Sequence, residues 1–370
     1  MVINICEEFL KLTSINSPSL KEGQLASYLK ARLKEFGAQV REDNSARLTG
    51  SDTGNIIAVY PGNREKPAIL LSAHMDTVQA TEGMIPQIKD GIIYSDGRTI
   101  LGADDKVGIA IILAVLSSLD DTVPHGPIEI LFSVQEEIGL IGVKNLDYEF
   151  KAKYGYVLDG DGPVGTIVNA SPSHITLDLI VEGKAAHAGL VPELGINAIV
   201  VAAKAIAGIT SGRLDDETTS NFGIINGGKG RNIVADRVEI KAEVRSRNKE
   251  KLEKETENIV NQFIETAKNN GAEFKFDRNL AYEAFFIDPK HPAITHSIKA
   301  GEKLGLKVYL KATGGGLDAN ILNAKGITCV ALGLGNENPH ANEEYAIISE
   351  LERGRQFLLE IIKQIAQGDD

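Results

Sequence analysis

Apolar positions recur at helical spacing over residues 3 to 14 and again over 20 to 36, where Ala26, Leu29, Leu33 and Phe36 make one stripe that Gly37 ends. Two amphipathic helices are expected there. Short β-branched runs closed by glycine, proline or aspartate follow at NIIAVYPG, AILLSAHMD and GIIYSDG, and each reads as a strand. The alternation continues with a helix over about 105–119 (DKVGIAIILAVLSSL), a strand PIEILFSVQ, a helix near 139–146 and a strand YGYVLDGDG. Apolar strands alternating with helices imply an α/β domain with a largely buried sheet.

From residue 173 the pattern changes, because SHITLDLIVEGKAAHAG alternates polar and apolar as a strand with one wet face does. A helix over 195–209, strands TSNFGIINGG and RVEIKAEVRS, a charged helix over 249–269 and a strand EFKFDRNLAYEAF complete a β-α-β-β-α-β unit with both helices on one side. Around IDPKHPAI the α/β character returns and runs to a last helix at 348–366. The reading is a discontinuous catalytic domain, 1–172 and 289–370, interrupted by an inserted α+β domain at 173–288.

The 370 residues, 43% of them hydrophobic, suffice for two cores, and no run reaches the length of a membrane span. A formal charge of -12 repels phosphate, so neither nucleic acid nor an anionic membrane is an expected partner, and a small-molecule or peptide substrate is. Two cysteines far apart, Cys6 and Cys329, make no disulfide scaffold and suit a reducing, cytoplasmic setting.

Five places in the first domain end a strand or open a helix with metal-ligand residue types: HMD (74–76), GADDKVG (102–108), QEEIG (135–139), VLDGDG (157–162) and NPHANEE (338–344). Taken singly, ADDK and EEIG could be acidic first turns favoured by the helix dipole. Loops at the carboxyl ends of strands can converge in open α/β sheets, so five such places mean more than one. His74 and Asp76 lie at i and i+2, on one face of their strand's end.

This set, in this order and with the insertion before its last member, resembles the co-catalytic zinc aminoacylase and carboxypeptidase (M20) family of metallopeptidases, in its peptidase T-like branch. The resemblance implies a zinc-peptidase-like catalytic domain, with a mixed sheet flanked by helices, and an inserted lid and dimerisation domain. It makes His74, Asp104 and Asp159 ligands of one zinc and Asp104, Glu137 and His340 ligands of the other, with Asp104 bridging. Cobalt or manganese could occupy the same N/O ligand set. Asp76 orients and polarises His74 from behind. The resemblance also makes Glu136 the general base for a water shared by the two metals, and charge counting agrees, since two dications against three carboxylates leave +1, which a bridging hydroxide neutralises. The Asp104–Asp105 peptide bond is expected to be cis.

By the same resemblance the substrate contacts are His187, acting in cis or in trans on the carbonyl, Asn232 and Arg231 in NGGKGRNIVAD, and the backbone of Gly315 and Gly316 in TGGGLDAN. NGGKGRNIVAD lacks the strand-to-helix setting of a dinucleotide fingerprint and is not read as a phosphate loop. Peptidase T carries an arginine before the corresponding glycine pair, where this chain has Thr313 and Gly314. Strict tripeptide specificity therefore does not follow. The implied function is removal of the N-terminal residue from short peptides. The alternatives are deacylation of N-acyl amino acids by the same centre and a metal-binding module without turnover, against which the intact Glu136 argues. A homodimer through the inserted domain is expected because its sheet, with helices on one side only, leaves an edge unpaired or an apolar face uncovered.

Overall fold

Four strands running parallel, Ile128–Ser133, Ile69–His74, Tyr154–Gly160 and Thr328–Gly333, make the middle of a mixed sheet. All six residues of Ile69–His74 are buried, as expected of a parallel strand covered on both faces. Antiparallel neighbours extend the sheet on either side, Ile56–Tyr60 and Gln39–Glu42 beyond Ile128–Ser133, and Thr166–Ser171 beyond Thr328–Gly333. The structure, a computed structural model, describes residues 2–368, and these divide into two compact units. Of these, the first contains residues 2–170, 286–313 and 317–368, and the second residues 171–285 and 314–316.

In the first unit, helix Ala103–Ser118 lies on strands Ile69–His74 and Tyr154–Gly160, between helices Ile5–Thr13 and Ile348–Gln367. It is apolar all round and buried from Asp105 to Leu116, the condition of a helix wholly inside a core. Its close approach to the sheet depends on Gly108, where a Cβ would fall 2.1 Å from the Leu158 carbonyl oxygen and 2.4 Å from Asp105 Oδ1. Asp105 itself is buried and joins two elements, since its carboxylate accepts the N–H of His74 at 3.2 Å and of Gly108 at 3.1 Å.

A small antiparallel sheet, Asn336–Glu337, Tyr345–Ile347, Ile92–Tyr94 and Gln87–Lys89, belongs to the same unit. Its first pair is a hairpin whose loop is residues 338–344, closed by the pairing of Glu337 with Tyr345. Strands of two or three residues show no periodicity, so the sequence pattern revealed only Ile92–Tyr94, within GIIYSDG, and not its partners. The helix expected near 139–146 shortens to the single turn Ile141–Lys144, because Gly139 (φ 114°) and Leu140 (φ 60°) take left-handed conformations and their N–H groups both return to the Glu136 carbonyl.

In the second unit, Ser173–Glu182 and Arg237–Ser246 alternate buried and solvated residues. Their inner face (Ile175, Leu177, Leu179 and Val181 with Val238, Ile240 and Val244) packs on helices Ala198–Ala207 and Lys249–Asn269 through Val201, Ala205, Ile259 and Phe263. The β-α-β-β-α-β order is present, with the short strand Gly212–Arg213 added beside Thr218–Gly227. The sheet's other face is not the uncovered apolar surface that one-sided helices suggested. It carries cross-strand ion pairs, Glu182 with Arg237 (2.7 Å) and Lys275 (2.5 Å), and Asp178 with Lys241 (3.7 Å). The edge is open as expected: beyond Thr219 and Ser220 strand Thr218–Gly227 has no outer neighbour among the described residues, and Ile224 and Ile225 there are half exposed.

The second unit also takes Gly314–Gly316, which the sequence reading left in the catalytic domain. Ser171 Oγ donates to the Gly315 carbonyl at 2.8 Å, and Gly316 lies so close to Tyr282 that a Cβ would come within 2.2 Å of its ring.

Gly108→Ala should lower stability by about 1–3 kcal/mol, because helix Ala103–Ser118 can receive the extra carbon only by backing off the strand. Gly314→Ala, whose Cβ meets nothing within 4 Å, should shift the thermal midpoint by the equivalent of less than about 0.5 kcal/mol. Thermal melts of the two variants beside the parent chain check both.

Candidate metal centre

The carboxyl ends of the parallel strands deliver the chemistry. His74 ends one strand, Glu136 and Glu137 follow Ile128–Ser133, Asp159 lies near the end of Tyr154–Gly160, and Asp104 sits in the first turn of the helix laid across them. Backbone strain collects here, as at many functional sites: Gln135 (φ 53°) and His340 (φ 66°) are both in the left-handed region without being glycine. The Asp104–Asp105 bond is cis.

Two groups of donors form, His74 with Asp104 and Asp159, and Asp104 with Glu137 and His340, each with its ligand atoms within 4.8 Å of one another. Asp104 belongs to both, Oδ1 lying 3.0 Å from His74 Nε2 and Oδ2 lying 3.3 Å from His340 Nε2. His340 Nε2 is also 3.0 Å from Glu137 Oε2.

Asp76 meets His74 through both its backbone carbonyl and its carboxylate. The atom nearest His74 Nδ1 is the Asp76 backbone carbonyl, at 2.9 Å, with the carboxylate at 3.4 Å. A carbonyl only accepts, so Nδ1 carries the proton and Nε2 is left to face Asp104. The Asp76 carboxylate also accepts the backbone N–H groups of Glu136 (2.9 Å) and Glu137 (3.2 Å) and the hydroxyl of Ser19 (2.6 Å). Fully buried, it pins the loop that bears both glutamates.

The electrostatics are those of a centre short of positive charge. Burial pushes the Asp159 carboxyl well above its ordinary value, and Asp104 and Asp105 add to the shift. Burial also raises Glu136 strongly; His74 opposes this, while Asp318, Glu137 and Asp76 reinforce it. Asp104 is held well below the usual carboxylate range, against burial, by its hydrogen bonds to His340 and His74. The hydrogen bonds of His340 to Asp104 and Glu137 push its imidazole up to about 10. Glu137 Oε1 is buried with no hydrogen-bond partner. An orphaned carboxylate oxygen beside two imidazoles and two further carboxylates fits a pair of divalent cations with N/O ligands.

The proposed substrate contacts lie in the second unit. His187 is exposed, its Nδ1 accepts the N–H of Gly189 at 3.2 Å, and its backbone bridges to Ile233. Ala188 N–H donates to the Asn232 carbonyl at 2.9 Å, so His187, Arg231 and Asn232 share one exposed pair of loops, while Gly315 and Gly316 lie against Ser171 and Tyr282.

Sequence reasoning passed over several buried residues around the centre. Asp318 accepts a short hydrogen bond from Ser133 Oγ, leaves its other oxygen without a partner, and is pushed up to about 6 by burial. Glu344 and Lys106 are fully buried. Asp318 and Glu344 lie in TGGGLDAN and NPHANEE, where nothing local signals their burial.

The model of peptidase family M20/M25/M40 matches residues 70–364. The uncharacterized protein YqjE of Bacillus subtilis (strain 168) is 38% identical over 365 residues, 98% of each chain. Among solved structures, aminopeptidase PepT from Bacillus cereus ATCC 10987 superimposes with a TM-score of 0.90 at 40% identity, covering 99% of this chain and all of that one. A tripeptidase from Staphylococcus aureus subsp. aureus Mu50 does so with 0.95 at 36% identity over the whole of both chains. The chain belongs to peptidase family M20/M25/M40 and is a hydrolase of that family.

Proposed function

We propose that the chain is a two-zinc aminopeptidase that removes the N-terminal residue of short peptides. Similarity to an aminopeptidase and to a tripeptidase over the whole chain supports the reaction. The observation that carries the choice of substrate is a cavity of about 280 Å³ bounded by Asp104 and Asp159 and continued by Asp161, Gly162, Glu337 and Lys311. Apart from Asp104 and Asp159, whose charge bound ions would offset, the lining offers the carboxylates Asp161 and Glu337 and one lysine, itself 4.0 Å from Asp161. A wall of this charge suits the ammonium of a free peptide terminus better than the neutral amide of an N-acyl amino acid.

His74, Asp104 and Asp159 would hold one ion, and Asp104, Glu137 and His340 the other, with cobalt or manganese as alternatives to zinc. Bound there, the ions supply Lewis acidity that polarises the scissile carbonyl and acidifies water. Glu136 takes the proton as water oxygen bonds to the carbonyl carbon and passes it to the nitrogen as the C–N bond breaks, giving an amino acid and a shortened peptide. Asp76 holds Glu136 to that task through its backbone. From the second unit, His187 would donate to the developing oxyanion, with Asn232, Arg231 and the backbone of Gly315 and Gly316 as further contacts.

We also propose a homodimer through the second unit, with the open edge of Thr218–Gly227 as its contact. Supporting this are the half-exposed Ile224 and Ile225 on that edge and Ile199 and Val200 on the neighbouring helix.

Glu136→Ala should cost ~10²–10⁴-fold in kcat with two ions retained, whereas Asp104→Ala, which removes an oxygen from both groups, should lose tightly bound metal. Metal analysis of dialysed protein beside steady-state rates separates the two, and a metal-depleted Glu136 variant would reverse the assignment. In a panel of di-, tri- and tetrapeptides with free and acetylated termini, assayed with zinc, cobalt and manganese, free termini should be favoured by about 100-fold or more. Turnover confined to the acetylated compounds would make the chain a deacylase. Light scattering should give a dimer mass for the parent chain and a monomer mass for Ile225→Lys.

A further inference from the structure

We infer that Glu344 is a positioning residue for the metal pair, fixing the backbone that carries Asp104 to the loop that carries His340 so that the two ion groups form together. Glu344 is completely buried, and its carboxylate is used as a fork on backbone donors about 240 positions away in sequence. Oε2 accepts the N–H of Gly102 at 2.6 Å and Oε1 the N–H of Asp104 at 2.9 Å. With both oxygens engaged, one carboxylate holds Gly102 and Asp104 in a fixed relation.

The turn so gripped has little room to move otherwise. Gly102 is left-handed (φ 73°), and a Cβ on it would meet Thr77 Cγ2 at 3.2 Å and Lys106 Nζ at 3.6 Å. Lys106 is itself completely buried and donates to the Ile15 carbonyl at 2.7 Å, which packs its side chain beside the turn that Glu344 holds. Four residues before Glu344, in the same hairpin loop, His340 reaches Asp104 Oδ2 and Glu137 Oε2. One loop therefore holds Asp104 at both ends, the main chain through Glu344 and the carboxylate through His340. Because Asp104 belongs to both donor groups, a shift of the turn displaces an oxygen from each. Glu344 acts only through Asp104.

The inference rests on the two-ion reading above. Metal-stripped full-length chain is titrated with Co²⁺, whose visible absorption reports ligand geometry, for the parent, Glu344→Gln and Leu358→Ala. Leu358 is buried in helix Ile348–Gln367 and supplies a destabilised control. Glutamine keeps the size of the side chain, but its amide nitrogen cannot accept, so one of the two N–H groups loses its partner. Glu344→Gln should stay folded by circular dichroism, bind both ions about 10–100-fold more weakly and change the absorption. Leu358→Ala should bind as the parent does despite a lower melting midpoint. Parental affinities and absorption in Glu344→Gln, whatever its midpoint, would overturn the inference. If that variant does not fold, Glu344→Asp, which keeps the charge and shortens the reach, is titrated instead, with the same weakening expected and parental affinities again fatal. A parent chain that fails to take up two Co²⁺ ions would overturn the two-ion reading and this inference with it.

Discussion

The carboxylates of Asp104, Asp159 and Glu137 meet two imidazoles at the rim of a buried sheet, and bringing like charges together out of water is the constraint around which the first unit is built. Such a gathering is unfavourable by itself, which is why Asp159 resists ionising and Glu137 keeps an oxygen without a partner. The fold withstands it through rigid supports: parallel strands buried on both faces, a helix seated on them at a glycine, and main-chain hydrogen bonds aimed at fixed carboxylates. Cations held by these donors would offset that repulsion.

The supporting carboxylates divide the work by their partners. Asp76, Asp105 and Glu344 each accept two backbone N–H groups, and each ties one segment of the site to another: the glutamate loop to the end of the His74 strand, that strand to the helix of Asp104, and the Asp104 turn to the His340 hairpin. A carboxylate whose lone pairs point at the main chain is a poor candidate for a metal ligand, however well its neighbours in sequence suit one. This separates Asp105 from Asp104, and Asp76 from His74.

Much of this was legible in the chain. The five motifs, their order, and the insertion before the last of them identify the family, and the switch from continuous apolar runs to strict alternation at residue 173 marks the second unit within a few residues. The supports were less legible for a physical reason. Nothing local distinguishes Glu344 from the adjacent Glu343, because what sets it apart is the burial and backbone contacts contributed by Gly102 and Asp104. The short strands around the His340 loop and the assignment of Gly314–Gly316 to the second unit also depend on partners distant in sequence.

By itself, the sequence determined the kinds of atoms in the centre and the elements that carry them, because residue type, hydrophobic period and turn chemistry are local properties of the chain. Tertiary structure alone decided which of two adjacent carboxylates faces an ion and which faces the backbone. It decided that His74 meets both the carbonyl and the carboxylate of Asp76, and that the open face of the second unit is covered by ion pairs. Those choices turn on which donor arrives from a distant segment and from what direction, and direction is a property only of the folded chain.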